Sequence, residues 1–365
     1  MNKKTYVNAY YMRNLGDDLF IKILSERYKE NFEAVANPKY KYKRDFPNIK
    51  FNSSIIKYYF LRIYERVHKI SHYAELKKVS KSNLLISIGG SIFIENCSNN
   101  ELDDNFNLYK NSSNYYILGA NFGPYRTVYF KNYVGNKIIN LAKDVSFRDK
   151  FSYNCFKTNN NVRVCSDIVF SLDTSNIIIK ETKRVIFSII DCATKGLIQY
   201  KELYERKIIE MIKYFDKKGY SITLMSFCKK EGDEKAIKSI LNKINSIKLN
   251  GDLETYFYRN NINEALNILG DSQIIVGTRF HANILGLILK KKIIPIAYSD
   301  KTINVMNDIG FTGKILDLRS MDDLKTFDIN EQELDYNLNT EKLKLDAMRH
   351  FEKLDRILKK SDSLN

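Results

Sequence analysis

Short apolar runs of strand length alternate with longer stretches of helical period along most of the chain. In the first half, "KTYVNAYY" leads through a turn into the amphipathic "DLFIKILSERYKE". The runs "NLLISIGG", "YYILGANFG", "KDVSFRDK" and "VRVCSDIVF" follow, mostly with helix-like segments between them. A second series starts at "RVIFSIID" and continues through the helix "YKELYERKIIEMIKYFDKKG", the strand "YSITLMSF" and the helix "DEKAIKSILNKIN". It ends with "INEALNILG", "SQIIVG", "ANILGLIL", "KIIPIAYS" and "KTINVMNDIG". Strands alternating with helices of about ten residues or more predict parallel βαβ units and doubly wound sheets. The pattern changes near residues 171–184, so two Rossmann-like α/β domains are expected, over residues 1–180 and 181–330. A helical tail over 331–365 can pack back across either one.

In open parallel sheets ligands bind beyond the carboxyl ends of the strands, so polar residues there are the first candidates for chemistry. Five strand ends stand out. In "RNLGDDLF" the residues Asn14, Gly16 and Asp17 fall in a turn, with a helix expected from Asp17 or Asp18. One aspartate suffices to cap that helix, which leaves the other to contact a ligand hydroxyl or act as a base. In "SIGGSIFIE" the pair Gly89 and Gly90 either lets a ligand approach the backbone or simply serves a tight turn. It is not a G-x-G-x-x-G dinucleotide fingerprint. The Gly123–Pro124 loop, with Arg126 beyond it, reads first as architecture. In "VSFRDKFS" the neighbours Arg148 and Asp149 form either a local clamp or a fork for a carboxylate or phosphate.

The fifth end, "VGTRFHANILGLIL", places Arg279 and His281 between a buried strand and a buried helix. The N-terminus of a helix already attracts anions through its unpaired N–H groups and dipole. A guanidinium and an imidazole added there make a phosphate or carboxylate site. The competing structural reading is a hydrogen-bonded core histidine beside an arginine paired with an acid. His68 and His72, four apart, can share a helix face, but no third metal ligand accompanies them. They read as a solvated basic face, and His350 reads the same way. No metal and no cofactor are expected.

Composition narrows the partners. Lys and Arg exceed Asp and Glu by 59 − 43 = 16, which favours anionic partners: phosphorylated small molecules, an anionic membrane face or nucleic acid. The lysines are scattered and no nucleic-acid module is recognisable, so nucleic-acid binding is the weaker alternative. The five cysteines form no CxxC pair, which fits reduced thiols in a cytoplasmic protein. The N-terminal stretch lacks an apolar signal region, and no run reaches the roughly 18 apolar residues of a spanning helix. The expected location is cytoplasmic, with peripheral contact at an anionic inner membrane face as a hypothesis from charge.

Taken in order, these motifs resemble those of the polysaccharide pyruvyl transferase family. The N-x-G-D turn is matched by Asn14, Gly16 and Asp17, and the paired glycines by Gly89 and Gly90. Gly123–Pro124 follows, then S-x-R-D at Ser146, Arg148 and Asp149. R-x-H is matched at Arg279, Phe280 and His281, with phenylalanine where leucine is common, and Tyr298 and Lys301 lie downstream. The resemblance implies a GT-B-like fold with the active site in the interdomain cleft. It implies transfer of the enolpyruvyl unit of phosphoenolpyruvate onto two sugar hydroxyls, giving a pyruvate ketal and phosphate. It also implies a donor site of Arg148, Arg279, Phe280, His281 and Lys301 on the C-terminal side. Asn14, Gly16, Asp17, Gly89 and Gly90 are then candidates for an acceptor site on the N-terminal side. His281, Arg279 and Asp17 are the catalytic candidates, and the acceptor is a saccharide that is lipid-diphosphate-linked, polymeric or nucleotide-activated. A GT-B nucleotide-sugar glycosyltransferase is the nearest alternative.

Overall fold

Two all-parallel sheets carry the chain in a computed structural model that describes residues 4–52, 54–245, 248–323, 334 and 336–362. The first sheet is built from β1 (Thr5–Asn8), β2 (Phe32–Ala34), β3 (Ile49–Phe51), β4 (Leu84–Ile88), β5 (Tyr115–Ala120), β6 (Asp144–Phe147) and β7 (Val162–Val164). Its order is β3-β2-β1-β4-β5-β6-β7. The second comprises β8 (Arg184–Ile189), β9 (Ser221–Ser226), β10 (Leu253–Phe257), β11 (Ile274–Gly277), β12 (Lys292–Ala297) and β13 (Leu316–Asp317), in the order β10-β9-β8-β11-β12-β13. In both sheets the order reverses after the first strand, the doubly wound arrangement that opens a crevice at the reversal. Those switch points lie between β1 and β4 and between β8 and β11.

Burial explains why these segments are strands. Every residue of "LLISI" in β4 and "YYILGA" in β5 is buried, as expected where helices cover both faces of a parallel sheet. The edge strands β3 and β10 and the short β2 beside β3 are not evident from the pattern. "FEA" and "IKF" are too short to show a period, and "LETYF" is partly exposed along its length.

The chain separates into two compact units. One contains residues 1–12, 17–171 and 344–365, and the other residues 13–16 and 172–343. Residues 172–180 therefore go with the second unit, not with the first as the expected boundary at 180 had it. The expected tail does not stand apart: its helices Thr340–Met348 and Glu352–Asp362 lead back into the first unit. Residues 324–333 of the expected domain and tail lie outside the described residues. His350 shows why the tail is fixed. Its ring is fully buried, with Nδ1 2.7 Å from Ser146 Oγ and Nε2 2.8 Å from the Ser166 carbonyl. The solvated face expected for His350 is thus corrected, because residues flanking it bind the sheet: Asp346 accepts from the Ser166 amide at 2.6 Å, and the His350 carbonyl accepts from Arg163 at 2.6 Å.

Candidate functional site

At the switch point of the second sheet, β11 runs into the helix Phe280–Ile288 through Thr278 and Arg279. The junction is fastened to its neighbours. The Arg279 amide donates to Ser188 Oγ of β8 at 3.1 Å, and Tyr204 donates to Thr278 Oγ1 at 3.0 Å. Asn283, buried in the helix, donates to the Gly277 carbonyl at 2.9 Å and ties the first turn to the strand end.

The Arg279 side chain is buried and engaged by acids. Nε donates to Asp233 at 3.1 Å, one terminal nitrogen binds Asp233 again, and the other binds Glu231. Asp233 itself opens the helix Asp233–Ile244 and accepts from the amides of Phe227 and Cys228 at 2.9 and 2.8 Å. Glu231 is shared further, accepting from Lys195 and, at 3.1 Å, from Asn14 Nδ2. Burial raises the Glu231 carboxyl, but Arg279 and then Lys195 reverse this and hold it at about 2. Arg279 is correspondingly raised well above its ordinary value, against the opposing effect of burial. The arginine expected to present a fork to an incoming anion therefore spends its donors on Asp233 and Glu231. It organises the loop after β9.

The N-x-G turn belongs to this same place. Residues 13–16 group with the second unit. The Leu15 amide donates to the Phe227 carbonyl at 3.0 Å, and Asn14 forms a bridge with Cys228. Asn14 Oδ1 accepts from the Gly16 amide at 3.1 Å, an N-cap contact for the helix Leu15–Arg27. That helix starts two residues earlier than expected, and asparagine, not aspartate, provides this cap. Gly16 is where His281 needs room: a Cβ there would lie 2.0 Å from the imidazole Nδ1. The two sequence motifs, N-x-G and R-F-H, thus meet at one half-buried histidine. Beside it, Lys301 Nζ sits 5.4 Å from the Phe280 ring centroid, and that ring meets the imidazole edge-on at 5.0 Å. Asn14 and Gly16, expected on an acceptor site of the N-terminal domain, are placed against Glu231 and His281 instead.

In the first unit the remaining candidates separate. Arg148 has no accessible side-chain surface. It pairs with Asp167 at 2.7 Å and donates to Asn121 Oδ1 at 2.8 Å. Its guanidinium lies where a Gly90 side chain would be, 2.1 Å from an added Cβ. The close approach to the glycine pair is therefore made by the protein's own arginine, which pins the ends of β4, β5 and β6. Of the two readings of Arg148 and of the glycine pair, the structure shows the local clamp and the tight turn. Gly89 lies beside it, its amide donating to the Leu118 carbonyl at 3.2 Å. Asp149 caps the helix Lys150–Phe156 by accepting from the Ser152 amide at 2.7 Å. Of the paired aspartates, Asp18 is buried and accepts from Tyr42 at 3.0 Å, while Asp17 is half-buried. His68 ends the helix Ile55–His68 and His72 precedes the helix Tyr73–Val79, so the two do not share one helix face.

Lys195, Glu231 and Asp233 escaped sequence reasoning. For Glu231 and Asp233 the signal is "KKEGDE", acids on both sides of a glycine soon after an apolar strand; Lys195 in "ATKGL" carries none.

Comparison with known proteins agrees with the fold. The chain is similar to UDP-GlcNAc 2-epimerase from Methanocaldococcus jannaschii, with 10% identity, a TM-score of 0.54, and 98% of this chain and 99% of that chain covered. It is also similar to UDP-N-acetylglucosamine 2-epimerase from Rickettsia bellii, with 10% identity, a TM-score of 0.53, and coverage of 97% and 95%. A third is HepE from Anabaena, solved with UDP and glucose, at 9% identity, a TM-score of 0.53 and 100% coverage of both chains. At such identities the likeness establishes the GT-B-type architecture of two parallel-sheet α/β domains and nothing further. No curated protein sequence matches the chain. The family model described as polysaccharide pyruvyl transferase matches residues 14–300. That span begins at Asn14 and includes the histidine over Gly16, so it holds both motifs that fold onto each other, and the chain belongs to the polysaccharide pyruvyl transferase family.

Proposed function

We propose that this protein transfers the enolpyruvyl unit of phosphoenolpyruvate onto two hydroxyls of one sugar in a polysaccharide or lipid-linked saccharide. The observation that carries the reading is the seating of His281 over Gly16 at the start of the 280–288 helix, with Lys301 close by. Phosphoenolpyruvate brings a phosphate and a carboxylate on a three-carbon frame. The positive end of that helix and the Lys301 ammonium are suited to hold those groups. His281 gives a proton to the methylene carbon, and a sugar hydroxyl attacks the neighbouring carbon as positive charge develops there. Asp17, next in the chain after Gly16, takes the hydroxyl proton. The carbon–oxygen bond to phosphate then breaks, the second hydroxyl closes the ring, and its proton leaves with phosphate. Arg279 acts as a positioning residue: through Glu231 and Asp233 it fixes the loop that holds Asn14 and hence Gly16 beneath the imidazole.

The test supplies phosphoenolpyruvate with a panel of lipid-linked, polymeric and nucleotide-activated saccharides, reading phosphate release and ketal formation by mass. The expected result is phosphate release that depends on one acceptor class and is lost in His281→Ala. Turnover of nucleotide sugars without phosphate release from phosphoenolpyruvate would overturn it.

A further inference from the structure

The helix Ile55–His68 is amphipathic in the reverse sense. Tyr58, Leu61, Arg62 and Glu65, at i, i+3, i+4 and i+7, form its inward side. Its charges are satisfied there: Arg62 pairs with Glu75 at 2.5 Å and with Glu65 at 2.8 Å, and Glu65 accepts from the Ala74 amide at 3.1 Å. The opposite line, Ile56, Phe60, Ile63 and Val67 at i, i+4, i+7 and i+11, is apolar, yet each member is 59% to 70% exposed. Water-facing helix surfaces normally carry the charges and core-facing surfaces the apolar residues. A contiguous apolar stripe left on the outside marks an interaction surface.

What flanks the stripe identifies the partner. Tyr59 and Tyr64 border it, each 40% exposed, with apolar rings and polar tips suited to a membrane–water boundary. Lys57, Arg66 and Lys69 are exposed around it, and Lys39 lies 5.5 Å above the Tyr59 ring. The helix's one acid, Glu65, is turned inward. Preceding the helix, Lys41, Lys43, Arg44 and Lys50 add exposed positive charge. Apolar residues along one line with a cationic and tyrosine border are the features of a helix that lies in a bilayer interface rich in anionic lipid. A second copy fits poorly, because a two-fold pairing of identical helices would set these cations against their own counterparts.

We infer that the 55–68 helix is a peripheral membrane anchor, inserting Ile56, Phe60, Ile63 and Val67 among lipid chains while its basic border meets anionic headgroups. This does not depend on the transfer chemistry. The full chain is sedimented with vesicles of phosphatidylcholine alone and of phosphatidylcholine mixed with phosphatidylglycerol. The oligomeric state without lipid is measured in parallel. Wild type is expected to bind the mixed vesicles at least about tenfold more strongly than the neutral ones. F60S/V67S, which changes only exposed positions, is expected to lose at least about tenfold of that binding while keeping its circular dichroism and unfolding transition. Equal binding by wild type and F60S/V67S overturns the inference, as does the absence of sedimentation with either vesicle or equal affinity for both. A wild-type dimer that F60S/V67S converts to monomer would assign the face to a second copy instead.

Discussion

Replacing Glu231 by glutamine tests the network beneath the histidine, because one carboxylate there serves Arg279, Lys195 and Asn14 together. The size of the effect follows from the carboxyl's own titration. Its ordinary value of 4.5 falls to about 2 in the folded chain, and each pH unit of difference corresponds to about 1.4 kcal/mol. The product, about 3 kcal/mol, is the stability that the ionised carboxylate contributes near neutral pH. The sign is fixed by linkage. A folded value below the unfolded one means the contribution is fully present above about pH 4.5. It declines as pH falls from there towards about 2, where the folded carboxyl also takes up its proton. Glu231→Gln removes the charge but keeps the shape and one acceptor oxygen. Urea unfolding of both proteins, followed by circular dichroism from about pH 7 down to about pH 3, should show a gap of roughly 3 kcal/mol at the top that narrows steadily below about pH 4.5. A gap under about 1 kcal/mol, or one that does not change with pH, would show that Arg279 and Lys195 do not depend on this carboxylate, and the positioning role argued for Arg279 would fall with it.

Other outcomes follow from neighbouring contacts. Gly16→Ala should leave the fold intact but push the imidazole aside and lower turnover by about a hundredfold in a phosphate-release assay. Lys301→Ala should raise the KM for phosphoenolpyruvate by tens-fold, the effect of about 2 kcal/mol, whereas His281→Ala should chiefly lower kcat, by about a hundredfold or more. Gly90→Ala forces a Cβ into the Arg148 guanidinium and should cost about 1–3 kcal/mol in urea unfolding. Burial, reinforced by Arg163, lowers the His350 imidazole to about 4. The folded state is therefore stabilised above about pH 6.5 relative to more acid solution, and His350→Gln should flatten the loss of stability between about pH 6.5 and 4.

The two sheets were legible because their central strands are buried on both faces, so "LLISI" and "YYILGA" read as unbroken apolar runs between helical periods. The order of the motifs likewise led to the family. What the sequence left open was which surface each polar residue turns to. Arg148 and Arg279 each stand at a strand's carboxyl end, and that position alone suits ligand and scaffold equally. Deciding between them depends on Asp167 and Asn121 for one and on Glu231 and Asp233 for the other, partners far away in the chain. His350 was misread for the same reason: its neighbours in sequence are charged, but its neighbours in space are Ser146 and Ser166.

In the transfer proposed above, the inward arginines change where positive charge for the donor has to come from. A guanidinium paired with a buried carboxylate cannot be turned onto an incoming phosphate without leaving that carboxylate's charge uncompensated, at about 3–5 kcal/mol. Arg279 is held by Asp233, whose side chain is fully buried, in a bidentate pair, and Arg148 makes an ion pair with the equally buried Asp167 while donating to Asn121. Lys301 differs in that its ammonium also meets an aromatic face, with Nζ 5.4 Å from the Phe280 ring centroid, a contact worth about 0.5–2 kcal/mol. His281 is likewise half-buried at the positive end of its helix. The buried arginines thus fix the loops, and in the transfer proposed above the donor is met by His281 at its helix start and by Lys301.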